Sequence, residues 1–116
     1  MTSDDQKSKI KQLARQIKQN PGDSFSKFAL ALEFRKQGEF KKARILFEDI
    51  LSSDPDYVGV YYHLGKLYEA LDQLKDAQKL YEDGIEIADQ QKEMRTKSEL
   101  QEAITQVELE MEERSS

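Results

Sequence analysis

Shifted by 34 residues, this chain lies on itself. With residues 24–57 over 58–91, Leu30 falls on Leu64, Ala31 on Gly65, Phe34 on Tyr68, Phe40 on Leu74, Ala43 on Ala77, Leu46 on Leu80 and Phe47 on Tyr81. Asn20-Pro21 precedes Asp54-Pro55 by the same step. Self-similarity at such a period is the mark of one supersecondary unit copied and stacked, since a single copy cannot bury its own apolar face. Such arrays favour a binding scaffold over an enzyme.

Each copy divides into two helices. In the first, Phe25, Phe28, Leu30, Ala31, Leu32 and Phe34 form a broad apolar helix surface, Gln37-Gly38-Glu39 interrupts it, and Phe40, Ala43, Leu46, Phe47, Ile50 and Leu51 resume at spacings of three and four. Gly38 suits a helix end that needs a left-handed residue, and Asp23 or Ser24 can cap the first helix. Asp54-Pro55 stops the second, because proline cannot continue the hydrogen-bond ladder. The second copy reads as helices from Val58 to Leu71 and from Leu74 to Ala88, with a glycine-free connection at Asp72-Gln73.

Small residues mark where helices approach closely. Ala31 and Gly65 sit mid-way along the first helix of each copy, and Ala43 and Ala77 within the second. Glycine inside a helix costs about 1 kcal/mol relative to alanine, so Gly65 and Gly84 are expected to serve packing, with Phe34, Tyr68, Phe47 and Tyr81 as bulky partners.

These residues carry a family resemblance. Tyr61, Leu64-Gly65, Tyr68, Ala77, Tyr81 and Gly84 resemble the tetratricopeptide repeat, whose pattern is a large aromatic, Leu-Gly, Tyr, Ala, an aromatic, a small residue and a closing proline. Leu30-Ala31, Phe34, Ala43, Phe47 and Pro55 fit in the first copy, where Lys27 replaces the leading aromatic and Ile50 the small residue. Asp89 replaces the closing proline of the second. The resemblance spans residues 24–91, about 60% of the chain.

Both flanks are helical. Residues 5–19 place Ile10, Leu13, Ala14 and Ile17 on one face and Lys7, Lys11, Arg15 and Lys18 on another, with Asp4 and Asp5 at the end where the helix dipole favours acids. Leu100, Ala103, Ile104, Val107 and Met111 form an apolar stripe among glutamates over residues 92–113. Both read as caps covering the ends of a short stack, or as segments that engage a partner or a second copy. The expected fold is all-α: one domain over 1–116, an antiparallel helix-turn-helix repeat stack of about six helices, with an N-terminal flanking helix at 5–19, repeats at 24–57 and 58–91 and a C-terminal cap at 92–113.

Composition narrows the function. There is no cysteine, hence no disulfide and no thiolate metal site. The single histidine, His63, lies between Tyr62 and Leu64 and has no second histidine to form a metal set or a relay. Glu108, Glu110, Glu112 and Glu113 read as a solvated face rather than an acid–base pair, and no glycine-rich phosphate loop is present. No enzyme activity, cofactor or metal is expected. No apolar run reaches the roughly 18 residues of a membrane span, and Met1-Thr2-Ser3-Asp4-Asp5-Gln6 is no signal start, so a cytoplasmic protein without a membrane partner is expected. Residues 1–56 carry 11 Lys and Arg against 9 Asp and Glu, and residues 57–116 carry 7 against 14. This net acidity argues against nucleic acid as a partner, while the asymmetry could steer a charged partner or align a dimer.

In the tetratricopeptide family the first helix of each repeat lines a concave groove. By that resemblance the groove positions fall on Phe25, Phe28, Leu32, Arg35 and Lys36 in the first copy, and on Tyr62, Lys66, Glu69 and Ala70 in the second, with Gly59 adding no side chain. Some members grip a terminal carboxylate with Lys, Asn and Arg; here Phe28 and Leu32 replace the first Lys and Asn, and His63 the second Asn, so that clamp is absent. An aromatic and aliphatic floor with charges at its edge suits a peptide or the apolar face of a helix. The protein-binding set is therefore expected at Phe25, Phe28, Leu32, Arg35, Tyr62, Lys66 and Glu69, with Phe25, Phe28, Leu32 and Tyr62 as its main patch. Internal packing of the same residues, and a structural homodimer that uses the groove for self-association, stand beside this reading.

Overall fold

The computed structural model describes residues 2–115, so positions 1 and 116 of the domain expected over 1–116 lie outside it. Six α-helices and no strand occur among the described residues. Their contacts gather into two units, one ending at Asp54 and the other beginning at Pro55.

The first unit holds α1 (Thr2–Gln19), α2 (Ser24–Lys36) and α3 (Phe40–Ser53). Asp23 caps α2: its carboxylate accepts from the Ser26 amide at 3.0 Å, satisfying one of the donors that a helix start leaves without a partner. Three residues separate α2 from α3, and Gly38 turns the chain at φ +78°. An added Cβ would meet nothing within 4 Å there, so backbone conformation alone calls for glycine. The Glu39 amide closes the turn on the Phe34 carbonyl at 2.9 Å. Ala31, Ala43, Phe47 and Ile50 are fully buried, with Leu30 nearly so.

Lys27 is also buried, at the position where the repeat pattern has an aromatic. Its stem lies in the core and its ammonium leaves it, meeting Asp49 of α3 at 2.6 Å. Helix α1 begins ahead of the expected residue 5 and packs on α2. Ile10, Leu13 and Ile17 are half-buried, whereas Ala14, expected on the same face, is exposed. Polar contacts add to this seam: Lys9 pairs with buried Glu33 at 3.0 Å, and the Ser26 hydroxyl donates to Gln16 at 3.1 Å. The Lys9 ammonium bonded to Glu33 holds its carboxyl below the usual range, against the opposing effect of burial.

The second unit holds α4 (Val58–Ala70), α5 (Leu74–Gln90) and α6 (Met94–Ser115). Its first turn repeats that of the first unit without glycine. Asp72 takes the left-handed conformation at φ 62°, and the Gln73 amide reaches the Tyr68 carbonyl at 2.7 Å. Aspartate enters this region more readily than most residues. Lys92 does the same between α5 and α6 at φ 60°, with the Glu93 amide on the Ala88 carbonyl at 2.9 Å. Without a closing proline at position 89, α5 runs for 17 residues against 14 in α3.

Two glycines set the packing of this unit. A Cβ on Gly65 would drive into the Tyr81 ring, closest to Cε1, with Cζ at 2.6 Å and Cδ1 at 2.8 Å. One on Gly84 would meet the Tyr61 Cβ at 2.6 Å and Leu100 Cδ1 at 3.1 Å. Tyr81 is fully buried, and the Tyr61 hydroxyl donates to the Pro55 carbonyl at 2.6 Å. Burial first, and the charges of Asp83 and Asp56 second, push the Tyr61 hydroxyl above its ordinary pKa. Helix α6 lays Leu100, Ala103 and Val107 against α5 and α4 and keeps its glutamates on the outside. No helix among the described residues is long and apolar enough to cross a membrane.

Candidate functional site

Helix α2 carries more apolar residues than its own unit can cover. Leu30 and Ala31 take the inward positions. Phe25, Phe28, Leu32 and Arg35 follow one another at intervals of three and four, which keeps them along one side of the helix. Phe25 is 73% exposed. The Phe28 ring meets buried Phe47 edge-on, centroids 5.6 Å apart, and so stays half-buried, as do Leu32 and Arg35. Lys36 is exposed and pairs with Glu33 at 3.5 Å.

On α4 the equivalent residues are tied to one another. Lys66 sits over the Tyr62 ring, 5.6 Å from its centroid, and 3.6 Å from Glu69. The Tyr81 hydroxyl donates to the same Glu69 oxygen, so buried Tyr81 orients the carboxylate that holds Lys66. Tyr62, Lys66 and Glu69 are all half-buried. Tyr62 and Lys66 line a cleft of about 170 Å³ whose other wall is Glu99, Glu102, Ala103 and Gln106 of α6. That volume falls below the roughly 300–1,000 Å³ of small-molecule and cofactor sites. It has room for the end of one side chain.

His63 is half-buried with its ring edge-on to Tyr62 at 5.8 Å. Among the described residues no group of three His, Cys, Asp or Glu side chains converges as a metal site would require. Sequence reasoning did not reach the α6 wall. Glu99, Glu102 and Gln106 do recur at helical spacing, but α6 lies outside the 34-residue period and offers no register from which to place them beside Tyr62.

Short turns, a small residue facing a buried aromatic and an amphipathic closing helix define a helical-repeat protein. The model of the tetratricopeptide repeat matches residues 34–103. This chain belongs to the tetratricopeptide repeat family, whose domains generally mediate protein–protein interaction. Among solved structures it is similar to the crystal structure of a tetratricopeptide repeat domain protein from Salinibacter ruber, at 48% identity and TM-score 0.71, covering 74% of this chain and 97% of that one. A solution NMR structure of such a protein from the same organism agrees at 47% identity and TM-score 0.73, covering 77% and 90%. The TPR2B domain of yeast Sti1, solved in complex with pHsp70, shares the fold at 16% identity and TM-score 0.84, covering 94% and 87%. None of the curated proteins compared matches the chain.

Proposed function

We propose that this chain is a non-enzymatic, cytoplasmic interaction module that takes a peptide or an amphipathic helix on the side of α2 formed by Phe25, Phe28, Leu32 and Arg35. Tyr62, Lys66 and Glu69 of α4 are the contact set of the second unit. Repeats at 24–57 and 58–91, with the flanking helices as caps, are the working division of the domain. The observation that carries the proposal is Phe25. An aromatic side chain left 73% exposed beside half-buried Phe28 and Leu32 is costly in water and valuable at an interface, where fully burying one large apolar side chain is worth about 1.5–3 kcal/mol. The Sti1 domain was solved with pHsp70, which supports a polypeptide ligand for this fold. A carboxylate-clamp mode is unsuited to this chain, which has Phe28, Leu32 and His63 at the family's clamp positions.

The test is capture from native extract by the wild-type chain and by Phe25→Asp. The exposed site tolerates aspartate, so circular dichroism should be unchanged while a specific protein band is lost. Equal capture by both proteins rules this face out. A stable doubled mass in light scattering would instead assign the face to self-association.

A further inference from the structure

Building on the α2 reading above, we infer that the occupant of this face is an amphipathic helix with a carboxylate at the end that meets Arg35. At about 1.5 Å of rise per residue, Arg35 lies about 15 Å along α2 from Phe25. The face is thus apolar over its length and cationic at one end. The surrounding charges leave that end positive. Buried Glu33 is one carboxylate shared by two ammonium groups, Lys9 at 3.0 Å and Lys36 at 3.5 Å. Arg35, half-buried, forms no ion pair among the described residues. Glu39, whose amide closes on the Phe34 carbonyl at the same end, is paired with Lys42 at 3.9 Å, so three lysines and an arginine stand against two glutamates.

A guanidinium without a carboxylate keeps its paired donor geometry available, and a carboxylate of the partner can accept both bonds. This contact fixes the direction of the bound helix, which the apolar stripe alone cannot do. A helix running along α2 would carry its acid about ten residues from the side chain that covers Phe25. A phosphate backbone could answer the charge, but it would leave Phe25, Phe28 and Leu32 facing water. The alternation of apolar length and cationic end therefore favours a protein helix.

The experiment is an NMR titration, at up to millimolar peptide, with two synthetic amphipathic helices of about 18 residues. They share one leucine stripe and differ only in two glutamates or two lysines at one end. The acidic peptide should bind about fivefold tighter than the basic one, as for an exposed but well-placed charge pair, and shift the amides of α2. Arg35→Glu should abolish the preference, and Phe25→Asp should weaken both peptides alike. Equal affinities with shifts on α2 overturn the acidic partner while leaving the α2 reading in place. Absence of α2 shifts with either peptide overturns the α2 reading itself. A doubled sedimentation mass without peptide assigns the face to a second copy and overturns both.

Discussion

Replacing Gly65 by alanine adds one methyl group and tests how α4 and α5 fit together. The new Cβ has nowhere to go: three atoms of the Tyr81 ring would lie inside the distance at which carbon atoms tolerate one another, Cζ at 2.6 Å and Cδ1 at 2.8 Å among them. The ring cannot withdraw freely, because Tyr81 is fully buried and its hydroxyl is held by Glu69. Overpacking of this severity costs about 2–3 kcal/mol, and alanine returns about 1 kcal/mol through helix propensity. The net loss is about 1–2 kcal/mol, or a fall in Tm of about 4–8 °C for a domain of this size. Urea and thermal melts followed by far-UV circular dichroism measure it. Adding Tyr81→Phe releases the tether and should recover part of the loss, since the first unit places Ala31 with Phe47 at the matching positions and buries both completely. A Gly65→Ala protein as stable as wild type, or more so, refutes the close-packing argument.

Three further outcomes follow from the same geometry. Lys27→Tyr should destabilise the first unit by about 1–3 kcal/mol, because buried Ile50 fills the space that Gly84 leaves for Tyr61; combined with Ile50→Gly, its cost should fall at least about 1 kcal/mol short of additivity in a double-mutant cycle. Glu33 titrates below its ordinary value of 4.5 because Lys9 is bonded to it, so the stability it contributes is present above that pH and is lost as pH falls through the lower folded value; the stability difference between wild type and Glu33→Gln should be constant above that pH and change only as pH falls below it. Arg114 joins Asp72 of the α4–α5 turn to Glu110 of its own helix at an exposed site, so Arg114→Ala should speed amide exchange near the end of α6 while leaving the global thermal melt unchanged.

Much of this architecture could be read from residue types. The 34-residue step placed both hairpins, and Gly65 and Gly84 announced close approach because glycine within a helix needs a packing reason. The glycine-free turn at Asp72 was less legible: a left-handed aspartate or lysine is stabilised by the turn's closing hydrogen bond, and nothing in the identity of Asp72 or Lys92 reports that bond. Lys27 could be seen to break the pattern, but its answer at Asp49 lies on another helix. The α2 residues were legible as groove positions only through the family resemblance. That Phe25 stands exposed while Phe28 leans on Phe47 depends on packing no spacing reveals.

Hydrogen–deuterium exchange by mass spectrometry, on the chain alone and bound to a partner captured from extract, tests the central proposal at the residues concerned. Side chains on the outer side of α2 being covered should slow exchange over residues 25–36, and Phe25→Asp should abolish that protection. Protection confined to other helices, with residues 25–36 unchanged in the complex, contradicts the assignment of this face to the partner.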